Sequence, residues 1–381
     1  MDFAPSEEQV EVKKRASEFA KRSLNDEVIR RDRESAFSRE LWNRCAEFGV
    51  QGFSFPARYG GTQGDIVSAM LLMEGLGYGC RDAGLLFAIN GQMWTVQMPI
   101  FMFGTDAQKD RYLSKLCGGE WIAGNGMTEP GSGSDAFSLT TTARRDGDGY
   151  VLNGNKIFCT NAPVADLFLV YATVDKRKGF FGVTVFLVER GTPGLTVGRD
   201  IDKMGLRTAP MAELAFEDCR VPAASRLGGE GNGAAIFESG MEWERGCILA
   251  SVIGNMERQL ETCTQYARDR HQFGKPIGKN QSVANKIVDM KVRLETSRLL
   301  IYNLATIKQQ GRKATLEAAM AKLHLSECWV QSCLDAVQVH GAYGYTTEYE
   351  VERDLRDAVA SRIYSGTSEI QRNIIARSMN L

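Results

Sequence analysis

The stretch Met127-Thr-Glu-Pro-Gly-Ser-Gly-Ser-Asp135 decides how the rest of the chain is interpreted. Gly131 and Gly133 let the backbone turn and approach a ligand closely, because they carry no side chain. The backbone N–H groups freed there, with the hydroxyls of Thr128 and Ser134, form a donor set for a flat ligand with polar edges. The stretch therefore predicts a binding loop built largely from backbone.

Two other interpretations of this stretch compete with a binding loop. An exposed Gly/Ser-rich surface loop has the same composition. A dinucleotide-binding fingerprint also matches, since Gly131-x-Gly133-x-x-Ala136 has the form G-x-G-x-x-A. That fingerprint needs a strand before it and a helix after it, whereas residues 137–143 are Ser/Thr-rich and predict a strand. The dinucleotide interpretation is therefore disfavoured.

Length and composition exclude several classes of protein. A chain of 381 residues predicts two or three domains. Its 46 basic and 47 acidic residues leave no basic excess for binding nucleic acid. No run approaches 18 apolar residues, so no membrane span is predicted. Residues 1–8 have neither a basic nor an apolar region, so we expect no signal peptide.

Cysteine and histidine usage points to an intracellular protein without a metal site. The nine cysteines form no C-x-x-C pair, which favours reduced thiols and a cytoplasmic location. The three histidines, His271, His324 and His340, are far apart in sequence. We therefore expect neither a zinc site nor a hydrolytic triad.

Hydrophobic periodicity divides the chain into three domains. Residues 1–121 predict a helical domain that opens with the capping box Ser6-x-x-Gln9. Residues 122–230 carry β-branched and aromatic runs, including a predicted hairpin with its turn at Asn153-Gly154. Residues 231–381 predict long helices joined by short loops, which is typical of an antiparallel bundle. In that bundle the first predicted helix covers residues 234–268.

Four motifs together resemble one family. Besides the 127–135 stretch they are Lys156-Ile-Phe-Cys-Thr-Asn161, Arg270-His-Gln-Phe-Gly-Lys275 and Arg362-Ile-Tyr-Ser-Gly-Thr-Ser-Glu-Ile-Gln-Arg372. In this order and spacing the chain resembles the acyl-CoA dehydrogenase superfamily of flavoproteins over essentially its whole length. The resemblance implies an α+β multidomain fold, with an N-terminal helical domain, a central β-barrel or sandwich, and a C-terminal four-helix bundle.

The family's chemistry requires a carboxylate base, and the resemblance locates it at Glu244. Family members remove the α proton of an acyl thioester while the β carbon delivers hydride to FAD. Many carry the base in a Tyr-Glu-Gly-Thr motif, but this chain has Ser365 in that place, and a lone serine hydroxyl is not basic enough. The isovaleryl and long-chain branches instead use a glutamate immediately before an arginine, which matches Glu244-Arg245 and excludes Glu242.

Helix geometry agrees with this assignment. Ile236, Gly240, Glu244 and Ile248 share one i, i+4 face, which is otherwise apolar. A carboxylate on such a face has a raised pKa, which suits a general base. The competing interpretation is a solvated glutamate paired with a cation one turn away, but no neighbour at that spacing is basic.

The remaining site residues follow from the resemblance. It implies that FAD is the cofactor and that cofactor contacts come from twelve positions: Met127, Thr128, Gly133, Ser134, Phe158, Thr160, Arg270, Phe273, Gln338, Gly341, Thr367 and Glu369. It places Phe158 where the family often has tryptophan. In the family, the contacts matching Arg270, Phe273, Gln338 and Gly341 come from a neighbouring subunit, which implies a homotetramer. Without the resemblance, Arg270 would be read as a surface ion pair with Asp269 or Glu261.

Substrate identity also rests on resemblance. The chain is similar to the branch that oxidises prolyl groups tethered to carrier proteins in natural-product biosynthesis, so we expect a phosphopantetheinyl carrier protein as partner. We expect substrate contacts from Ser134, Met241, Arg245 and Ser365, with Phe237 and Trp243 narrowing the acyl pocket. The alternatives are a short- or branched-chain acyl-CoA dehydrogenase, a non-catalytic flavoprotein subunit and a flavin-dependent monooxygenase.

Overall fold

The computed structural model describes residues 5–381, and its first part is helical. Residues 1–4 lie outside the described residues. They belong to the predicted N-terminal domain and to residues 1–8, where no signal peptide is expected. The helices of this part are α1 (Glu7–Ser23), α2 (Val28–Glu34), α3 (Arg39–Glu47), α4 (Ile66–Gly79), α5 (Ala83–Gln92), α6 (Met98–Phe103) and α7 (Asp106–Cys117).

Local sequence signals explain where several of these helices begin. Ser6 and Gln9 form the predicted capping box, with the Ser6 side chain accepting from the Gln9 backbone. Asp65 and Thr105 cap α4 and α7 in the same manner. Between Asp82 and Gly104 the chain is continuously helical, because a π-helical turn at Met93–Gln97 joins α5 to α6.

The central part is one mixed β-sheet. Its strands are β1 (Ala123–Gly126), β2 (Thr142–Asp146), β3 (Gly149–Thr160), β4 (Leu167–Thr173), β5 (Val183–Glu189), β6 (Leu195–Asp200), β7 (Met211–Pro222) and β8 (Arg226–Leu227). The order is β6-β7-β3-β2-β4-β5-β8, and β1 pairs in parallel with β4. Strand β4 is buried along its whole length, so the core of this part lies around it.

The hairpin predicted at Asn153-Gly154 is wrong. Strand β3 runs straight through these residues and pairs with β7, with a β-bulge between Leu152 and Gly154. Gly154 has φ +144°, and a Cβ there would lie 2.6 Å from the Thr141 hydroxyl. The turn-like dipeptide therefore marks a bulge with a close backbone approach. The strand predicted for residues 137–143 begins only at Thr142.

The C-terminal part is a helical bundle with one short hairpin. Its elements are α8 (Gly233–Cys247), α9 (Ala250–Asp269), β9 (His271–Gln272), β10 (Lys275–Pro276), α10 (Gln281–Gln309), α11 (Thr315–His340), α12 (Ala342–Tyr345), α13 (Val351–Ala360) and α14 (Ser368–Ser378). The single helix predicted for residues 234–268 is interrupted at 248–249, between α8 and α9.

Two glycines join the N-terminal and C-terminal helices at backbone contact. Helices α4 and α9 cross where Gly77 and Gly254 meet. A Cβ on Gly77 would lie 1.7 Å from the Ser251 carbonyl oxygen, and one on Gly254 would lie 1.9 Å from the Glu74 carbonyl oxygen. Because no larger residue fits at either position, the crossing fixes the two helical layers against each other.

A buried ion pair fixes the loop after β1. Lys156 Nζ on β3 lies 2.8 Å from Glu129 Oε1, and both side chains are almost fully buried. The carboxylate also accepts from the backbone amides of Thr140 and Thr141. Burial opposes the charge of Glu129, but the charge and hydrogen bond of Lys156 outweigh it and lower the pKa of Glu129 to about 2. Burial lowers the pKa of Lys156 to about 8.

Two further observations concern the chain as a whole. All nine cysteines are buried, and no disulfide joins them. Within residues 5–381, no helix combines the length and the apolar character that crossing a bilayer requires.

Replacing Glu129 by Gln should destabilise the protein by about 3–5 kcal/mol at pH 7, because it leaves the Lys156 cation buried without a counter-charge. The measurement is urea unfolding. The control is Glu213→Gln, at an exposed position of β7. Since the folded-state pKa of Glu129 is depressed, its contribution is complete above the ordinary value of 4.5 and is lost as the pH falls towards about 2. The free energies of unfolding of Glu129→Gln and the Glu213→Gln control should therefore become similar in acid. Equal stability of these two variants at pH 7 would contradict the assignment.

Candidate active site

Helix α8 carries the predicted base on a buried face. Ile236, Gly240, Glu244 and Ile248 are all buried, as the i, i+4 spacing predicts. The Glu244 residue is 8% exposed. Within the described chain no lysine, arginine or histidine nitrogen lies within ion-pair distance of its carboxylate, so the competing interpretation of a solvated, locally paired glutamate does not hold.

The residue in the motif position where many family members carry glutamate is hydrogen-bonded to Glu244. Ser365 Oγ donates to Glu244 Oε1 at 2.6 Å. Ser365 has φ +57°, in the left-handed region that L-residues rarely adopt. Its backbone N–H has no acceptor in the part of the chain that the structure describes, so this donor is available to a ligand.

Three long side chains hold this loop by its carbonyl groups. Lys322 Nζ donates to the Gly366 carbonyl at 2.7 Å. Gln371 Nε2 donates to the carbonyls of Ser365 and Gly366 at 3.1 and 2.8 Å. Arg245 Nε donates to the Ser365 carbonyl at 3.2 Å. Because the carbonyls point towards these donors, the strained backbone at Ser365 is fixed by tertiary contacts.

The electrostatic balance keeps Glu244 basic. Burial raises the pKa of Glu244, and the Ser365 hydrogen bond and the charges of Arg245 and Lys322 oppose this shift without cancelling it. Burial lowers the pKa of Lys322 to about 8, against the attraction of the Glu244 charge. Burial and the charge of Glu244 also raise the pKa of Tyr171 and Tyr364. The Glu244 carboxylate is therefore close enough to Tyr171, Tyr364 and Lys322 for its charge to shift their pKa values.

Glu242 has a different environment on the same helix. Its carboxylate accepts from Lys308 Nζ and from Thr315 Oγ1, each at 2.6 Å. Burial opposes ionisation, but these two hydrogen bonds and the Lys308 charge lower the pKa of Glu242. Both acceptor oxygens are occupied by the protein, so Glu242 serves the packing of α8 on α10 and α11.

The loop after β1 and the exposed part of β3 come together. Lys156 Nζ donates to the Met127 carbonyl at 3.1 Å, and the Ile157 amide donates to the Thr128 carbonyl at 2.9 Å. Next to them, Phe158 has φ +55° and is 56% exposed at the second bulge of β3. Thr160 is partly buried on the same strand. This surface offers an aromatic ring beside backbone polar groups.

The Gly-rich part of the loop is open to solvent. Gly133 and Ser134 are exposed, and a Cβ added at Gly131 or Gly133 would meet no atom within 4 Å. The ring of Phe137 just beyond contacts Phe237 of α8 edge-on, with centroids 5.5 Å apart. The loop and the helix that carries Glu244 are therefore neighbours.

The other predicted residues lie in two places. Thr367 caps α14 by accepting from the Ile370 amide, and Glu369 is exposed in its first turn. At the far end of α9, Arg270 is exposed, and Phe273, at the tip of the β9–β10 hairpin, is 95% exposed. The Arg270 side chain forms no ion pair within the described residues, so it is not paired with Asp269 or Glu261.

Two further predicted residues, Gln338 and Gly341, lie in the same region as Arg270 and Phe273. Gln338 and Gly341 lie at the C-terminal end of α11, next to α9, because Tyr266 on α9 donates to the His340 carbonyl. The twenty residues of α9 rise by about 30 Å. Arg270 and its neighbours are therefore far from the end of α9 that follows Glu244.

The residues expected to narrow the acyl pocket differ in their surroundings. Met241 is buried. Trp243 stacks on Trp94 with centroids 6.1 Å apart and carries the Lys308 ammonium over its ring. Phe237 contacts Tyr171, which the charge of Glu244 also reaches, and Met241 is an i, i+3 neighbour of Glu244, so these two lie on the side of the base.

Sequence reasoning missed the residues that support the site. Lys322 and the Lys156–Glu129 pair act over long sequence separations, so the local sequence predicts only an ordinary surface lysine at positions 156 and 322. Gln371 donates to the carbonyls five and six residues before it, at the start of α14. Glu129, Lys156 and Gln371 all lie within the four motifs, which was the available signal.

The exposed features fit a planar cofactor. Phe158 presents an exposed ring at a strained backbone position, and the Ser365 amide and the open Gly131–Gly133 backbone offer polar groups to a ligand. A flat, polar-edged ring system such as a flavin has this complementary chemistry. Functional sites commonly concentrate such backbone strain.

Three family descriptions match consecutive parts of the chain. They are "Acyl-CoA dehydrogenase, N-terminal domain" over residues 6–120, "Acyl-CoA dehydrogenase, middle domain" over 124–219 and "Acyl-CoA dehydrogenase, C-terminal domain" over 231–380.

Characterised relatives match over nearly the full length. The chain is 42% identical to the L-prolyl-[peptidyl-carrier protein] dehydrogenase of Serratia sp. (strain ATCC 39006), covering 100% of this chain and 99% of that protein. It is 40% identical to the short-chain-specific acyl-CoA dehydrogenase of Megasphaera elsdenii, covering 97% of each.

Solved structures agree. The prolyl acyl carrier protein oxidase AnaB superposes with a TM-score of 0.98 at 52% identity, covering 99% of this chain and 100% of that chain. PigA with FAD and proline superposes with a TM-score of 0.98 at 42% identity over the full length of both. The predicted fold of helical, β and helical parts is thus confirmed, and the chain belongs to the acyl-CoA dehydrogenase family.

Proposed function

We propose that this protein is an FAD-dependent dehydrogenase of acyl thioesters in which Glu244 removes the α proton. The observation that carries the proposal is a buried carboxylate without an ion pair, hydrogen-bonded to Ser365, whose backbone N–H is free. PigA, similar over its whole length, binds FAD, and the features around Phe158 fit the same cofactor.

The residues of the site divide the chemistry between them. The α C–H of a thioester is a weak acid, so its carbonyl oxygen must be stabilised as negative charge develops there. The Ser365 N–H donates to that oxygen, and the Glu244 carboxylate accepts the proton. Bound FAD supplies the acceptor for the hydride that leaves the substrate. Tyr171, Tyr364 and Phe237 keep water away from the carboxylate.

The substrate we propose is a prolyl group on a phosphopantetheinyl carrier protein, in a natural-product pathway. Relatives that act on prolyl carrier proteins match the chain at 42–52% identity over 99–100% of its length. Loss of two electrons and two protons converts the ring to a pyrroline after tautomerisation. A short- or branched-chain acyl-CoA is the alternative, favoured by the 40% identity to the Megasphaera elsdenii enzyme.

We further propose a homotetramer. The predicted cofactor residues Arg270, Phe273, Gln338 and Gly341 lie about 30 Å of helix away from the region of Glu244, which suits contacts to a neighbouring chain's FAD. Apolar side chains are also exposed on the bundle: Val288, Val292, Leu299 and Leu334.

Light scattering of the FAD-loaded protein should give the mass of four chains, because the exposed apolar face and the distant cofactor residues both require neighbours. Changing Phe273 to Ser should weaken FAD binding, whereas Val10→Ser, at an exposed apolar residue on α1, should not. A particle with the mass of a single chain, 42.1 kDa, would contradict the tetramer.

Replacing Glu244 by Gln should leave FAD bound but slow anaerobic flavin reduction by substrate about 10²–10⁴-fold, because the base is lost. Stopped-flow absorbance measures this rate. The matched control is Glu242→Gln, two residues away on the same helix, which should lower stability without a comparable loss of rate. Reduction by Glu244→Gln at the parental rate rules out the assignment.

Replacing Ser365 by Ala should move the ascending limb of the kcat/KM profile to higher pH. The serine hydrogen bond holds down the pKa of Glu244, which burial raises, so its loss lets that pKa rise further. The base must be unprotonated to act, and a higher pKa therefore requires a higher pH. The backbone N–H remains, so the plateau rate should be largely retained. An unshifted limb would show that the hydroxyl does not tune the base.

Offering prolyl carrier protein, butyryl-CoA and isovaleryl-CoA side by side should give flavin reduction with the prolyl carrier protein, because the proposed pocket is compact. The measurement is anaerobic flavin absorbance. Faster reduction by either CoA ester would favour the alternative substrate class. Reduction by none of a wider thioester panel would favour a non-catalytic subunit, and stoichiometric oxygen incorporation would indicate a monooxygenase.

A further inference from the structure

The loop between β4 and β5 combines basic and aromatic side chains. This basic-aromatic loop (residues 175–182) has the sequence Asp175-Lys-Arg-Lys-Gly-Phe-Phe-Gly182. Phe180 is 49% and Phe181 is 68% exposed. The two rings lie against each other with centroids 4.1 Å apart, so they form one apolar patch on the surface. Exposed aromatic pairs of this kind are typical of interaction sites.

The charge of the loop is positive. Asp175 holds Arg177 through two hydrogen bonds of 3.1 Å, so one of the three cations is compensated. Lys176 and Lys178 form no ion pair in the part of the chain that the structure describes. The loop therefore presents two free ammonium groups beside two exposed rings, which favours an anionic partner with an apolar contact surface.

A row of aromatic rings leads from this loop to the base. Phe180 lies 6.5 Å from Phe137, measured between centroids, and Phe137 lies 5.5 Å from Phe237 of α8. Phe237 in turn lies 5.6 Å from Tyr171, whose pKa is raised by burial and by the charge of Glu244. The basic-aromatic loop is thus at the outer end of a continuous path to the carboxylate.

The inner part of this path, from Phe137 to Glu244, has the length of a phosphopantetheine arm. Thirteen bonds separate phosphorus from sulfur in that arm, which corresponds to about four residues of extended chain or about 15 Å. Phe237 precedes Glu244 by seven residues, or two helical turns, on the same face of α8, which accounts for about 10 Å. Adding the 5.5 Å from Phe237 to Phe137 gives about 15 Å, so an arm with its thioester at Glu244 would place its phosphodiester near Phe137, the ring next to Phe180 of the basic-aromatic loop.

We propose that the basic-aromatic loop is the docking surface for the carrier protein. This inference rests on the proposed function, since it assumes a substrate tethered to a phosphopantetheinyl protein. Lys176 and Lys178 attract the phosphodiester and acidic side chains around it, and Phe180 and Phe181 pack against apolar side chains of the carrier. A free coenzyme A ester has phosphates but no protein surface to cover the two rings.

The test compares two substrates with the same acyl group, prolyl carrier protein and the prolyl thioester of free pantetheine. The variants are Lys176→Glu combined with Lys178→Glu, and separately Phe181→Ser. Each should raise KM for prolyl carrier protein about tenfold or more, with kcat nearly unchanged, because docking and not chemistry is impaired. KM and kcat for prolyl pantetheine should stay at the parental values.

Matched controls are a charge reversal and an apolar-to-polar change elsewhere on the surface. Lys14→Glu and Val10→Ser, at exposed positions of α1, should leave both substrates unaffected. Raising the salt concentration should raise KM for prolyl carrier protein in the parent and have less effect in the double lysine variant, since its ionic attraction is already lost.

Three results would overturn the docking surface. Equal loss with both substrates would mean that the loop shapes the catalytic site, and no loss with either would mean that the carrier binds elsewhere. With prolyl-CoA as an additional substrate, a tenfold rise in KM equal to that for prolyl carrier protein would mean that the loop binds phosphate groups and not the carrier surface. If the parental enzyme oxidises neither prolyl substrate, the proposed function itself fails, which is a separate outcome.

Discussion

The site depends on one constraint: the Glu244 carboxylate is buried, and residues 5–381 provide no counter-ion within ion-pair distance of it. Such a group is tolerated only when hydrogen bonds replace part of its lost hydration. Ser365 provides one at 2.6 Å, but only because its backbone adopts φ +57°. That conformation is maintained by donors from three different helices, Arg245 on α8, Lys322 on α11 and Gln371 on α14. The basicity of one side chain therefore requires the bundle to be assembled.

Three of the buried glutamates, Glu129, Glu242 and Glu244, have contrasting environments. Glu129 is neutralised by Lys156 and hydrogen-bonded on both oxygens, and Glu242 is held by Lys308 and Thr315. Both carboxylate oxygens of Glu129 and of Glu242 already accept hydrogen bonds from the protein. Glu129 thereby fixes the loop after β1, and Glu242 fixes helix α8. Glu244 alone of the three has a raised pKa. Equal burial thus leads to structural or chemical roles according to the partners that each carboxylate finds.

Local signals in the sequence predicted the fold well where the structure is decided locally. The cap at Ser6 predicted the start of α1, and the i, i+4 pattern around Glu244 predicted a buried face. Asn153-Gly154 failed because pairing with β7 overrides its turn preference and converts it into a bulge. The break at 248–249 was missed because apolar periodicity continues across it. Lys322 was missed because a lysine's buried partner is set only by tertiary packing.

The glycine crossing of α4 and α9 has a consequence for how substrate enters. A Cβ added at Gly77 or Gly254 would lie only 1.7 or 1.9 Å from a carbonyl oxygen of the opposing helix. The two helical layers are therefore packed backbone against backbone at this point. A hinge motion between these layers would have to separate the two backbones at this crossing. We therefore expect substrate to reach Glu244 through segments outside this crossing, namely the loops of the β-sheet. Substrate entry and product release then depend on motions of these loops, while the helical layers stay fixed. Loop motions of this kind occur on the nanosecond-to-microsecond timescale.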